Sequence, residues 1–172
     1  MSSYLCFVMA DVLLKNGYKL PKESFKYKSK KYTAPRVEMK KILDGKTNIL
    51  GNSGDCDVLF LSEYSAHIIC VEFKYFVPSI TYEELKKTDR NKITKQIYGK
   101  LTQIQNRENA LKNNLEFLIR YLGGTQQNYN VKTMIVLARP NMYVYSDEIK
   151  QRIPYEFMTM NEFLNRVEEH FV

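Results

Sequence analysis

The chain has no tryptophan and, among its 172 residues, only three cysteines and two histidines. Cys6, Cys56 and Cys70 are odd in number and scattered, with no C-x-x-C pair. That argues against a disulfide framework, an iron–sulfur cluster or a zinc ribbon, and suits a reducing compartment. His67 and His170 give a three-histidine zinc enzyme or a Ser-His-Asp hydrolase little raw material. Long apolar runs are missing too, since no stretch nears the roughly 18 residues that read as a bilayer span. The opening "MSSYLCFVMADVLLKNGY" lacks the basic start of a signal peptide and reads as a helix of the mature chain. The expectation is a soluble, cytoplasmic protein with no membrane partner.

What is present is a globular composition: 44% hydrophobic and 13% aromatic residues, the latter from thirteen tyrosines and nine phenylalanines. The length fits one domain, residues 1–172, and is enough to bury a core. Against 19 Asp+Glu stand 26 Lys+Arg, a formal charge of +7. Such a surface favours polyanions, nucleic acid first.

Helical spacing of Leu5, Val8, Met9, Val12 and Leu13, with a stop at Asn16-Gly17, predicts a first helix. "ESFKYKSKKY" alternates as a strand with Lys26, Lys28 and Lys30 in one row. "PRVEMKKILDG" reads as a short helix from Pro35 to about Gly45 or as a strand; its period does not decide. After a turn at "GNSG", two runs, "DCDVLFL" and "HIICVEFKYF", read as an antiparallel hairpin. A long helix is expected from about Asp89 to Leu122, its apolar row interrupted by Glu108 at an edge position and stopped at Gly123-Gly124. "VKTMIVLA" has the continuous apolar character of a buried parallel strand. "YVYS" suggests a short edge strand, and helices are expected near Asp147–Gln151 and Asn161–Phe171. The order is α-β-β-β-α-β with α/β additions: one mixed sheet flanked by helices.

The anomaly is in the second hairpin strand. Both of its faces are mostly apolar, yet it carries Glu72 and Lys74 side by side on one of them. An unpaired charge there costs several kcal/mol, so the two must be paired or put to use. Strict alternation puts Asp55, Asp57, Leu59 and Leu61 on one face of the preceding strand, from which Asp57 can meet Glu72 and Lys74. Two hard carboxylates suit Mg²⁺ or Mn²⁺, and a lysine beside them can orient a metal-bound water and offset charge on a phosphate.

Gly54-Asp55-Cys56-Asp57 followed one hairpin later by Glu72-Phe73-Lys74 resembles the PD-(D/E)xK nuclease superfamily, whose fold is restriction-endonuclease-like. The first half resembles the G-E-x-D of its resolvase-like and Mrr-like branches, and "LLKNGYKL" is similar to the first helix and turn of the Holliday-junction-resolvase-like members. The resemblance covers the element order of residues 1–138 and about 21 residues of motif. It implies Mg²⁺ or Mn²⁺ on Asp57, Glu72 and the backbone carbonyl of Phe73, with Lys74 positioning the attacking water and Asp55 as an auxiliary ligand. Members carry a glutamine on the helix after E-x-K, matched here by Gln96 ahead of Gln103. They also carry a first-helix glutamate, which is missing here; only Asp11 is near, and Glu38 is the other acidic candidate for metal.

For phosphate and base contacts the best segment is "KYKSKKY", with Lys26, Lys28, Lys30 and Lys31 for phosphate and Tyr27 and Tyr32 for stacking. The expected function is a divalent-metal-dependent deoxyribonuclease, structure-specific or junction-resolving, with a homodimer as the working unit. DNA is the expected partner, with RNA left open. The alternatives are a restriction- or repair-type endonuclease and a non-catalytic nucleic-acid-binding module on the same fold.

Overall fold

In the computed structural model, which describes residues 2–21, 24–27, 30–33, 37–39, 43, 53–76, 81–84, 87, 90–141 and 146–171, the three strongest apolar runs lie side by side. The chain opens with α1 (Ser2–Lys15), then β1 (Ser24–Tyr27), β2 (Lys30–Thr33), β3 (Val37–Glu38), β4 (Asp55–Cys56), β5 (Val58–Ser62) and β6 (His67–Lys74). A helical stretch follows as α2 (Tyr82–Glu84), α3 (Arg90–Gln96), α4 (Leu101–Asn113) and α5 (Leu115–Leu122). Last come β7 (Asn130–Leu137), α6 (Asp147–Arg152), β8 (Glu156–Thr159) and α7 (Met160–Glu168).

The main sheet is four-stranded and mixed, in the order β5-β6-β7-β8. β5 and β6 form the antiparallel hairpin, in register Val58↔Val71 through Ser62↔His67. β6 and β7 are parallel, as are β7 and β8. Helices flank both faces, which explains why β6 and β7 have apolar residues in successive positions. On one face Val58, Phe60, Ile69, Val71, Met134 and Val136 pack with Met9 and Leu13 of α1 and Phe163 and Val167 of α7. On the other, Leu59, Leu61, Ile68 and Cys70 meet Ala110 and Leu111 of α4 and Leu118 and Leu122 of α5. Among the described residues no helix is long and apolar enough to cross a membrane.

Several sequence expectations change. "ESFKYKSKKY" is not one strand but a hairpin, β1–β2, in register Phe25↔Tyr32, Lys26↔Lys31 and Tyr27↔Lys30. Lys26 and Lys30 therefore stand on different strands, and the row that alternation drew through them does not exist; Lys28 lies outside the described residues. Of the undecided segment the described residues are the two-residue strand Val37–Glu38, Met39 and Leu43; Leu43 N–H donates to Met39 O (3.0 Å), and the Met39 and Leu43 side chains are buried. The long helix is broken twice. Tyr98–Lys100 is a 3₁₀ turn, and at Asn114 (φ −123°) the side-chain amide donates to Ala110 O at 2.8 Å. A buried asparagine that bonds its own helix offers the backbone an alternative to continuing. β8 was not expected. It ends at Thr159, which caps α7 reciprocally with Glu162 in a T-x-x-E box readable in the sequence. "YVYS" falls mainly on 142–145, outside the described residues.

The β5–β6 turn is fixed by Glu63, which accepts hydrogen bonds from Lys19 Nζ, Tyr129 Oη and Thr125 N–H. Burial alone would raise its pKa, but these donors together outweigh burial and lower it to about 2. A carboxylate with a depressed folded-state pKa contributes stability above its unfolded pKa and loses it as pH falls through the folded one. Stability should therefore drop between about pH 4.5 and pH 2. Glu63→Gln should flatten that limb in a pH series of thermal melts; an unchanged limb would show that other carboxylates carry it.

Candidate active site

Glu72 and Lys74 occupy the last turn of the pleat in β6, in register with Ile135 and Leu137 of β7. Their exposures are 4% and 8%, so both charges are inside the protein. Lys74 Nζ donates to Glu72 Oε1 at 2.5 Å. The other oxygen, Oε2, accepts from Arg107 Nη1 of α4 at 2.7 Å. Arg107 is 2% exposed and also donates from Nε to Ser53 O at 3.0 Å. One guanidinium thus ties α4 to β6 and to the turn before β4. Burial by itself would raise the Glu72 pKa, but the charges of Lys74 and Arg107 outweigh it and hold the carboxyl below its ordinary value.

Asp57 sits in the break between β4 and β5, and its Oδ2 accepts the Phe73 N–H at 2.9 Å. The break corrects the alternation. Cys56 packs on the same face as Leu59 and Leu61, so the strict period that set Asp55 and Asp57 on that face fails at Asp57. A residue interposed between two short strands shifts the period by one. Asp57 instead reaches β6 through its backbone, at the residue between Glu72 and Lys74. Cys56 Sγ and Cys70 Sγ touch at 2.7 Å beneath this arrangement, and burial pushes the Cys56 thiol pKa well up.

The register of β3 with β4 brings Glu38 opposite Asp55. Gln96 ends α3 on an exposed turn, whereas the Gln103 side chain lies against Gly54 at the entrance to β4. Gly54 has φ +63°, and a Cβ there would overlap the Gln103 amide. Gly54→Ala should cost about 1–2 kcal/mol for the left-handed backbone alone, with displacement of Gln103 added. Urea unfolding of the variant checks this, and an unchanged midpoint would contradict it. Lys26, Tyr27, Lys30, Lys31 and Tyr32 belong to the separate β1–β2 sheet.

Arg107 is the member that the sequence reading passed over. In the row Ile104, Arg107, Leu111, it holds a position that helical spacing assigns to the buried face. Glu108 is half-buried and pairs with Lys112 at i,i+4. Placing the row one residue earlier would have exposed the buried cation. The chain matches no family model, no curated protein and no solved structure, so the chemistry of this site rests on its own geometry.

Proposed function

We propose that the chain is a divalent-metal-dependent nuclease that hydrolyses phosphodiester bonds of DNA, built on a restriction-endonuclease-like core. The observation that carries the reading is a fixed Glu72–Lys74 pair on a central strand, with Asp57 clamped to the peptide between them. The β5-β6-β7 pattern, an antiparallel hairpin followed by a parallel strand after a helical crossover, supports the fold. A net charge of +7 supports a polyanionic substrate, and three free thiols suit a reducing, cytoplasmic setting.

The residues fit a hard cation. A carboxylate has about four acceptor positions, and Lys74 and Arg107 take one on each oxygen of Glu72. Mg²⁺ is usually held by one or two carboxylates plus water and substrate oxygens, a demand that two carboxylates can meet. Asp57 and Glu72 would hold it, with the Phe73 carbonyl and Asp55 as further oxygens. Bound there, it would supply Lewis-acid stabilisation and a water of lowered pKa. The chain's own part is electrostatic. Lys74 presents a cation held by Glu72, prepaid in orientation, toward a phosphate oxygen. Arg107 keeps the carboxylate of Glu72 from rotating, and Asp57 is aligned by the backbone of β6.

One observation favours a second reading, a nucleic-acid-binding module without catalysis: both Glu72 oxygens are engaged by buried cations. Incubating supercoiled, linear, single-stranded and four-way-junction DNA with Mg²⁺, Mn²⁺ or EDTA separates the two. Cleavage in metal but not in EDTA supports the nuclease. Binding without cleavage in every metal supports the module, and absence of binding overturns both. The same panel, with an RNA arm, reports the preferred substrate.

A further inference from the structure

We infer that Arg107 is a positioning residue that occupies one oxygen of Glu72 and, as a buried positive charge beside it, keeps divalent-cation binding weak and exchangeable. The inference rests on the nuclease reading for its metal but concerns a residue and a property which that reading does not need. Glu72 is flanked by two cations, Lys74 on Oε1 and Arg107 on Oε2, both inside the protein. Lys74 alone would neutralise it. A second buried cation reaches the same carboxylate, and it comes from a helix packed across the sheet rather than from β6.

The guanidinium has a second anchor, Ser53 O, so its plane is fixed from two directions and cannot swing off Oε2. It takes one acceptor position on Oε2, as Lys74 does on Oε1. Each oxygen keeps one acceptor position, so an ion meets Glu72 only beside a cation already bound to it. The positive charge also opposes a dication nearby, an effect strong in a site screened from water. The result is a carboxylate held ionised and correctly turned, yet a weak ligand. A site of this kind fills when substrate phosphate adds its own oxygens and empties when product leaves.

Removing the charge should reverse both restraints. Arg107→Gln keeps a donor for Glu72 without the charge, and Arg107→Met removes both. Titrating each folded variant with Mn²⁺ and reading free ion by electron paramagnetic resonance should show Kd falling at least about tenfold, as expected for loss of a like charge near the ion. Turnover in a cleavage assay should fall in the same variants. Arg107→Lys retains the charge and should stay within about threefold of wild type in Mn²⁺ affinity. A merely structural arginine would lower stability and weaken metal binding, so tighter metal with slower turnover is its opposite signature. Unchanged or weaker Mn²⁺ binding in both charge-removed variants overturns the inference, while wild-type cleavage in Mn²⁺ leaves the nuclease reading intact. If wild type neither binds Mn²⁺ nor cleaves with it, both fail together.

Discussion

Lys74→Ala should lower metal-dependent DNA cleavage by about 10²–10³-fold, the usual loss when one preorganised electrostatic group is removed from a transition state. The fold should survive, because Arg107 remains on Glu72 and keeps that carboxylate paired inside the sheet. Circular dichroism should overlay wild type while single-turnover cleavage collapses. Lys74→Met, which preserves the length of the stem, should behave like alanine if the ammonium is what matters. Retained cleavage in either variant would remove Lys74 from the chemistry and leave it a counter-charge for Glu72.

Glu72→Leu should have the largest effect on stability. It leaves Lys74 and Arg107, both almost completely enclosed, with no anion between them. Breaking a buried ion pair by deleting one partner typically costs about 3–5 kcal/mol. For a domain whose whole stability is about 5–15 kcal/mol, that is a large share. Replacing the entire cluster should act differently: Glu72→Leu, Lys74→Met and Arg107→Met together remove every desolvated charge of the trio. The triple variant should recover most of the loss, because well-packed apolar groups often match or exceed a buried ionic cluster. It should also be inactive. Urea unfolding of the single and triple variants tests the pair of claims. A triple variant no more stable than Glu72→Leu would show that the cluster stabilises the fold rather than taxing it.

The readability of this chain followed the range of its interactions. β6 and β7 were plain in the sequence because a strand covered on both faces must be apolar at successive positions. Glu72 and Lys74 were plain for the same reason, as polar exceptions inside such a run. The β1–β2 hairpin was missed because Lys28-Ser29 carries neither Gly nor Asn, the usual marks of a tight turn, and alternation continues through it. The breaks in the long helix were missed because an asparagine shows its helix-breaking role only when burial directs its amide onto its own backbone. Arg107 was the hardest. Helical spacing can place it on the buried face, but what holds it there is not local: its partners are Glu72, 35 residues away, and Ser53, 54 residues away. Gln103 fell to the same limit, since its seat at Gly54 depends on how α4 crosses the β4 turn.

The touching sulfurs of Cys56 and Cys70 bear on the geometry of the two acids above them. Cys56 immediately precedes Asp57, and Cys70 lies two residues before Glu72 on the same face. One sulfur–sulfur contact therefore lies between the two segments that carry the acids. Both thiols are fully enclosed, so a larger side chain at either position would have to displace the segment that carries the neighbouring acid.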